Sequence, residues 1–314
     1  MTKPKISVLL TLFNSNVEHL EEAVQSILKQ TYSDFEFLII IEYGTDIKIV
    51  KLIEEFSQRD KRIVLVKNKE KLGFVNSLNL GIELSKGEYI ARMDDDDISI
   101  LSRFEKQVKL MDSNLNIGVC GTSQIIVTPK RCFKSLKPSK HNDIRAMMVF
   151  GYNISHPTVM FRKELFLRNH WKYKNGVIAE DHELWLRIID KTTFANIPEI
   201  LLYHRAGFGN SISEDRRIEL HKEGRGFARK EILKLGIDID IDNPILQGSR
   251  IELFLKKGQN RKSFIEEAKE ILQQIKEKND QLGIFEKISF NRMINKRYLW
   301  LRTTVDKTKR NIKK

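Results

Sequence analysis

The chain has 314 residues, 41% hydrophobic and 31% charged, which is the composition of a globular protein with one large domain or two small ones. Six Pro and 16 Gly exclude a collagen-like or low-complexity chain, and two cysteines are too few for a disulfide framework. The net charge is +13, and no apolar run approaches the roughly 18 residues of a membrane span. An apolar segment begins at Ile6 and leaves no room for a signal peptide, so the sequence predicts a cytoplasmic protein.

Short apolar runs alternate with stretches of helical spacing over the first 127 residues. The runs, each typical of a strand, cover residues 6–11, 35–41, 63–66, 88–93 and 117–127. Between them, apolar side chains recur every three or four positions, as they do on one face of a helix. This alternation, with nearly continuous apolar strands, predicts an α/β fold whose sheet is covered by helices on both faces. In such sheets, ligands bind beyond the carboxyl ends of the strands.

Four consecutive carboxylates, Asp94, Asp95, Asp96 and Asp97, follow the fourth of these strands. Adjacent carboxylates raise one another's pKa values unless a cation compensates their charge. Carboxylate oxygens suit Mg²⁺ or Mn²⁺, which keep open positions for water or substrate phosphates. A solvated acidic loop that stabilises the start of the next helix is the alternative.

Two other predicted strands also end in polar or aromatic side chains. Thr11, Phe13 and Asn14 close the first strand, and Glu42 and Tyr43 follow the second. Because ligands of an α/β sheet bind at this edge, these five residues are candidates for a binding site that includes the acidic run.

Beyond about residue 130 the alternation fades, with one further strand predicted at residues 200–203 and helical patterns from about residue 214. Glu180 and Asp181 stand at a predicted helix start, because Leu184, Trp185 and Ile188 follow at helical spacing. Acids in this position either cap the helix or take part in catalysis.

Several common catalytic motifs are missing from the sequence. The seven histidines form no HExxH pair, which argues against a zinc site. No GxSxG elbow, Walker A loop or GxGxxG fingerprint occurs either. Their absence argues against serine hydrolases, P-loop enzymes and dinucleotide dehydrogenases.

Five segments occur in a fixed order along the chain: ISVLLTLFNSN, LEEAVQSILKQTYSDFEFLII, GIELSKGEYIARMDDDDIS, HPTVMFRKELF and AEDHELWLRI. Together they resemble family 2 glycosyltransferases of bacterial surface-polysaccharide pathways, over about residues 5–215. The resemblance implies a GT-A fold, which is a Rossmann-like mixed sheet flanked by helices. It implies a catalytic domain at 1–215, with a nucleotide-sugar half at about 1–127 and an acceptor half at about 128–215. Residues 216–314 would form a helical C-terminal region.

The resemblance also implies a reaction, in which a sugar moves from a nucleotide-diphosphate donor, a UDP-sugar above all, to a saccharide or lipid-linked acceptor with inversion. Asp94, Asp95 and Asp96 match the family's DxD motif. Asp96, together with Asp94, would bind the Mn²⁺ or Mg²⁺ that bridges the donor phosphates, and Asp94 or Asp95 would face the ribose. Asp181 matches the general base. The residues that match the lining of the nucleotide pocket are Thr11, Phe13 and Asn14.

Three positions depart from the family pattern. Tyr43 falls where an Asp commonly contacts the uracil ring, so either Glu42 replaces that Asp after a register shift or Tyr43 stacks on the base. Asp95 takes the place of an Ala in the acidic motif. The His expected near residue 205, which would help to bind the metal or the diphosphate, is out of register, and a structural role explains His204 equally well.

The last 30 residues, 285–314, hold ten basic and two acidic side chains, and therefore more than half of the net charge. Within them Phe290, Ile294, Tyr298, Leu301 and Val305 recur at helical spacing. A basic amphipathic helix suits an anionic membrane surface, which would place the protein peripherally on the inner face of the cell membrane. A helix that packs on the rest of the protein and keeps a solvated basic end fits the pattern equally well.

Two other functions stay open at this point. A nucleotidyltransferase that makes NDP-sugars also needs carboxylates and Mg²⁺, but it normally carries a Gly-rich N-terminal loop, which residues 7–16 lack. A nucleic-acid-binding protein would explain the positive charge, but no recognition motif accompanies it, so no nucleic-acid partner is expected. The resemblance to family 2 glycosyltransferases therefore implies a metal-dependent inverting hexosyltransferase for capsule, exopolysaccharide or O-antigen synthesis.

Overall fold

The computed structural model describes residues 3–151, 153–208, 214–246 and 261–311. The chain divides into two compact units, of which one comprises Met1–Ser139 and Ile154–Ser211 and the other Lys140–Asn153 and Ile212–Lys314. The division near residue 212 lies close to the predicted boundary after residue 215. Residues 140–153, predicted within the acceptor half, lie instead in the C-terminal unit.

One mixed sheet runs through the first unit, and its nine strands are all in the described part of the chain. The strands are β1 Ile6–Leu12, β2 Phe35–Ile41, β3 Ile63–Lys67, β4 Tyr89–Arg92, β5 Ile98–Ser99, β6 Ile117–Val127, β7 Cys132–Ser135, β8 Met160–Arg162 and β9 Thr193–Arg205. Their order is β3-β2-β1-β4-β8-β6-β9-β5, and β7 pairs with β6. Strands β1 to β4 are mutually parallel, whereas β8 is antiparallel to both β4 and β6. The predicted α/β fold is confirmed.

Ten helices are described across the two units. They are α1 Val17–Leu28, α2 Ile47–Arg59, α3 Phe74–Leu84, α4 Arg103–Ser113, α5 His141–Met147, α6 Lys163–Arg168, α7 Glu180–Ile188, α8 Glu214–Leu233, α9 Arg261–Leu282 and α10 Lys287–Asn311. Every residue of β2 is buried, as expected of a parallel strand with helices on both faces. This explains why the strand appears in the sequence as a continuous apolar run.

Side chains that cap α1 and α2 shape the loops after β1 and β2. The side chain of Asn16 accepts the backbone N–H of His19 at 3.0 Å, and that of Asp46 accepts the N–H of Lys48 at 2.8 Å. Each cap ends a loop that leaves the carboxyl end of a central strand. The two caps therefore fix where the residues of these loops lie relative to the sheet.

Strand β9 is longer than the sequence indicates, since it covers Thr193–Arg205 rather than residues 200–203 alone. Pro198 interrupts the apolar pattern, and the register with β6 shifts between Thr122 and Ser123 at this point. A proline has no N–H for the ladder and is tolerated at such an irregularity. Because β9 is parallel to β6 and thus to β4, His204 and Arg205 reach the same edge of the sheet as the carboxyl end of β4.

The C-terminal unit contains α5, α8, α9 and α10, with a core of its own. Phe290, Ile294 and Leu301 are buried in that core, so three of the five residues of the predicted amphipathic stripe pack inside the protein. The side chain of Val305 lies outside the described residues. The prediction that this stripe enters a membrane is therefore corrected for the folded unit, because the same stripe forms the unit's core. No described helix has the length and apolar character to cross a bilayer.

Candidate active site

The acidic run lies where two strands from distant parts of the sequence meet. Strand β5, directly after the run, pairs with β9 so that Ile98 faces Tyr203. This pairing brings the end of β9 against Asp97, which is fully buried. The Nδ1 atom of His204 lies 3.1 Å from Oδ2 of Asp97, and the backbone N–H of Arg205 donates to Oδ1 at 2.8 Å. The end of β9 thus holds the acidic run by backbone and side-chain contacts.

Three potential metal ligands converge at this point. Ligand atoms of Asp94, Asp97 and His204 all lie within 4.8 Å of one another, the one such group found among the described residues. Burial lowers the pKa of His204, but the hydrogen bond with Asp97 and the surrounding carboxylates outweigh it and raise the pKa to about 9. The sequence resemblance implied two metal ligands, Asp94 and Asp96. Asp94 belongs to this group of three, and Asp96 does not.

The remaining carboxyls of the run carry excess negative charge. Burial, followed by the charges of Asp97 and Asp94, raises the pKa of Asp96 to about 7. Burial also raises the pKa of Asp95 to about 6, although the hydroxyl of Ser15 donates a hydrogen bond to it. Repulsion among buried carboxylates is what a divalent cation relieves. The donor set and its charge therefore fit a bound divalent cation.

Arg92, at the end of β4, is a buried residue that the sequence predictions did not include. Its guanidinium lies 2.5 Å from Oδ1 of Asp94 and 5.5 Å from the ring centroid of Phe74. Burial would raise the pKa of Asp94, but Arg92, with a smaller contribution from His204, lowers it. A charged residue at the end of an apolar strand was the available signal, since Arg is almost never fully buried without a partner.

Asp181 and Glu180 stand at the start of α7, near the acidic run. The carboxylate of Asp181 accepts the backbone N–H of His182 at 2.7 Å, which orients it. Burial, followed by the charge of Asp94, raises the pKa of Asp181 to about 6. Burial and the charge of Asp181 raise the pKa of Glu180 to about 8, so that Glu180 is largely protonated at neutral pH. Burial and mutual repulsion therefore disfavour a negative charge on both acids at once.

A buried histidine packs beside these acids. His156 Nε2 lies 2.9 Å from the hydroxyl of Tyr173, and its Nδ1 lies 3.8 Å from Oε1 of Glu180. Burial and the charge of Arg92 lower the pKa of His156 to about 3, so the imidazole is neutral. Because the imidazole is neutral, the contact between His156 and Glu180 is not an ion pair. The sequence analysis assigned no role to this residue, although it is the first of the segment HPTVMFRKELF that carries the family resemblance.

The loops after β1 and β2 carry the residues predicted to line the nucleotide pocket. Asn14 adopts a left-handed backbone conformation, and its Oδ1 accepts the N–H of Asp46 at 3.0 Å. Phe13 and Tyr43 are 48% and 59% exposed, which leaves both rings accessible to a ligand. The hydroxyl of Thr11 is buried without a hydrogen-bond partner in the part of the chain that the structure describes.

Glu42 has a structural role that the sequence did not indicate. Its carboxylate accepts the backbone N–H groups of Tyr43, Leu72 and Gly73 at 2.8, 3.0 and 2.5 Å, and the side-chain amide of Asn68 at 3.3 Å. Burial would raise its pKa, but these donors outweigh burial and lower it. Its oxygens hold the loop that leads into α3, which favours the alternative in which Tyr43 contacts the base.

Residues 7–172 match the model of a family described as glycosyl transferase family 2. The chain belongs to this family. The match covers more than half of the chain and confirms the resemblance predicted from the sequence motifs.

Related proteins agree with this assignment. The chain is 34% identical to an uncharacterised glycosyltransferase of Haemophilus influenzae over 258 residues, 77% of this chain and 79% of that protein. It is 32% identical over 234 residues to the O-antigen biosynthesis glycosyltransferase WbnJ of Escherichia coli, 73% of this chain and 89% of that protein.

Two solved structures share the fold. Residues 1–349 of S. aureus TarS, in complex with UDP-GlcNAc, are similar with a TM-score of 0.60 at 17% identity, over 98% of this chain and 92% of that one. The mannosyltransferase PcManGT of Pyrobaculum calidifontis, in complex with GDP-Man and Mn²⁺, is similar with a TM-score of 0.57 at 14% identity. The similarity covers 97% of this chain and 84% of that one. At these identities the likeness shows the fold, and the predicted GT-A class is confirmed.

Proposed function

We propose that this family 2 glycosyltransferase transfers a hexosyl unit from a UDP-sugar to a saccharide acceptor with inversion, and that Asp181 is the general base. One observation carries the proposal. Asp181 lies close enough to the acidic run for the charge of Asp94 to raise its pKa, although 86 residues separate the two in the sequence. This supports the proposal that the candidate cation ligands and Asp181, whose pKa is raised to about 6, act in one site.

The chemistry needs a base because a sugar hydroxyl is a weak nucleophile. The acceptor hydroxyl gives its proton to the carboxylate of Asp181 while its oxygen attacks the anomeric carbon. The bond from that carbon to the diphosphate oxygen breaks, and the electron pair leaves with the nucleoside diphosphate. Attack from the face opposite the leaving group inverts the anomeric configuration without a covalent intermediate. The hydrogen bond from His182 orients the Asp181 carboxylate for this step.

Asp94, Asp97 and His204 would hold a divalent cation, with the carboxyl of Asp96 beside them. When bound, the cation supplies positive charge for the diphosphate leaving group. Carboxylates suit both Mg²⁺ and Mn²⁺, and an imidazole ligand favours the transition metal, so we expect Mn²⁺ to bind more tightly than Mg²⁺. The pKa of His204 is about 9, so the proton that it carries at neutral pH must leave before its nitrogen can bind a metal.

The donor base lies, in this proposal, against the exposed ring of Tyr43, with Phe13, Thr11 and Asn14 lining the rest of the nucleotide pocket. Stacking on Tyr43 replaces the contact that an acid makes with uracil in relatives, because Glu42 is engaged in the loop before α3. UDP is the expected nucleotide because the similar TarS structure contains UDP-GlcNAc.

The acceptor proposed here is a growing surface polysaccharide. The support is the 32% identity to WbnJ, which is named for O-antigen biosynthesis. A lipid-linked form of the acceptor and a location at the inner face of the cell membrane both stay predictions.

A thermal-shift screen tests the proposal. UDP-, GDP-, dTDP- and CDP-sugars are each added with and without Mn²⁺, because a ligand that binds only the folded protein adds about 2.7 kcal/mol of stability at a hundred times its Kd. We expect a UDP-sugar with Mn²⁺ to give the largest rise in Tm. No shift with any nucleotide sugar, or release of pyrophosphate from a nucleoside triphosphate and a sugar phosphate, would contradict the proposal.

A further inference from the structure

Residues 124–137 contain a β-hairpin of strands β6 and β7, here called the basic hairpin, which belongs to the sheet. Strand β7 pairs with β6 from Gln124 opposite Ser135 to Val127 opposite Cys132. The turn is fixed by Thr128, whose N–H donates to the carbonyl of Arg131 at 3.0 Å and whose hydroxyl accepts the N–H of Arg131 at 3.1 Å. The hairpin is therefore an ordered element with a defined tip.

Both faces of β7 are open. Consecutive residues of a strand point to opposite faces, yet Cys132, Phe133 and Lys134 are all exposed. Phe133 is 42% exposed, and Leu136, directly after the strand, is 68% exposed. Two exposed apolar side chains, one in an ordered strand and one directly after it, mark a candidate surface for a partner.

The charge of the basic hairpin identifies the kind of partner. Lys130, Arg131 and Lys134 are exposed, and no acidic residue occurs between Asp112 and Asp143. The guanidinium of Arg131 lies 5.3 Å from the ring centroid of Phe133, so cations and apolar groups occupy the same patch. Cations beside an exposed aromatic ring suit an interface between anionic headgroups and acyl chains.

We propose that the basic hairpin binds the surface of an anionic lipid bilayer, with Lys130, Arg131 and Lys134 at the headgroups and Phe133 and Leu136 below them. Charge complementarity supplies the long-range attraction, and the two apolar side chains add burial that salt does not screen. In the described part of α10, the stripe residues Phe290, Ile294 and Leu301 are buried in their own unit, so these three are not available to a membrane.

The register of the sheet relates this surface to the active site. Ile126 of β6 pairs with Phe133 on one side and with His204 of β9 on the other. Phe133 and His204 are thus two strand spacings apart, about 10 Å, and directly opposite residues share one face of a sheet. The inference extends the proposed function by giving the place where an acceptor attached to lipid would meet the site. Sugar transfer and membrane docking can fail independently.

Cys132 offers a direct test in the unaltered chain. It is exposed, whereas Cys120, the other cysteine, is buried. A polarity-sensitive thiol dye therefore labels Cys132 on the full-length protein, which is then mixed with vesicles of phosphatidylcholine alone or with 30% phosphatidylglycerol. We expect a blue shift and brighter emission with anionic vesicles alone. A matched control carries the dye at Lys61 in a Cys132→Ser/Lys61→Cys protein, and its emission should not change.

Vesicle flotation of variants measures how much the basic residues contribute to membrane binding. One basic residue near an anionic leaflet changes the partition coefficient of a protein onto the vesicles about five-fold. Replacing Lys130, Arg131 and Lys134 together with Gln should therefore lower that coefficient about 10²-fold. The control replaces three exposed lysines of the α2 region, beside β3 at the far end of the strand order, and should float as the parent does. These control lysines are Lys48, Lys51 and Lys61.

Each outcome decides the proposal. Metal-dependent release of nucleoside diphosphate should stay at the parent level in the hairpin variant, which shows that it is folded and separates docking from catalysis. Flotation without a change at Cys132 would place the membrane contact elsewhere, including the tail, and would overturn the inference. The absence of binding to anionic vesicles at low salt, or a dye response to a single-stranded nucleic acid but not to vesicles, would overturn it as well.

Discussion

Replacing Asp181 with Asn should cost activity and add stability at the same time. The pKa of this buried carboxyl rises from 3.8 to about 6 on folding, and a change of that size corresponds to about 3 kcal/mol between its charged and neutral forms. An amide of the same shape keeps an acceptor for the N–H of His182 but carries no charge. We therefore expect a gain on the order of 1–3 kcal/mol in the free energy of unfolding at pH 7.5.

The pH dependence of this gain follows from the direction of the shift. Above about pH 6, Asp181 is charged in the folded protein, so the penalty of burying the charge is fully present. As the pH falls from about 6 to about 4, the folded protein takes up the proton before the unfolded chain does, and the penalty disappears. Denaturation with urea, in the absence of metal and nucleotide, should show the advantage of Asp181→Asn at pH 7.5 and none near pH 4.

Turnover should change in the opposite direction. Loss of a general base costs a factor on the order of 10² to 10⁴ in kcat, and the parent rate should fall about tenfold per pH unit below pH 6. Glu180→Gln is the matched control, because the pKa of Glu180 is about 8 and the amide resembles its protonated form. Parent-like turnover in Asp181→Asn, or an equal loss in Glu180→Gln, would refute the assignment.

Four further changes test other parts of the structure. His204→Ala should weaken Mn²⁺-dependent UDP binding at least about tenfold by calorimetry, since it removes one of three converging ligands; unchanged affinity would exclude it as a ligand. Tyr43→Ala should lower UDP affinity by about 1–3 kcal/mol, whereas Tyr43→Phe retains the stack; equal losses would exclude stacking. Glu42→Gln should destabilise the fold by about 1–3 kcal/mol, measured by urea denaturation, without changing the preferred nucleotide. Because folding lowers the pKa of Glu42, this stabilisation should fade as the pH falls below its ordinary value of 4.5. Phe290→Ala should cost about 3–5 kcal/mol in the same assay, and Ile288→Ala, 67% exposed on the same helix, almost nothing; similar costs would mean that α10 does not pack as described.

The parts of the structure that were predicted correctly are those with local signals. Strands β1, β2 and β4 are largely apolar because nearly every residue in them is buried, so their type follows from the sequence. Asp94 and Asp181 were recognised because each stands in a motif at an element boundary. Their approach to one another, and the resulting pKa of Asp181, needed the folded chain.

The missed features depend on contacts between distant segments. The pairing of His204 with Asp97 stayed hidden because Pro198 breaks the pattern of β9, so its end could not be placed against the acidic run. The role of Glu42 depends on the backbone of Leu72 and Gly73, which no side-chain pattern marks. An amphipathic stripe is equally suited to a membrane or to a protein core, and only the packing of α10 distinguished the two.

Hydrolysis of the donor tests the central claim most directly, because it needs no known acceptor. The UDP-α-sugar that stabilises the protein most is incubated with Mn²⁺, and proton NMR records the configuration of the first free sugar before its anomers equilibrate. The account predicts release of UDP that stops when the metal is chelated, with the β-anomer appearing first and both signals lost in Asp181→Asn. Release of the α-anomer first, or hydrolysis at the parent rate in Asp181→Asn, would contradict it.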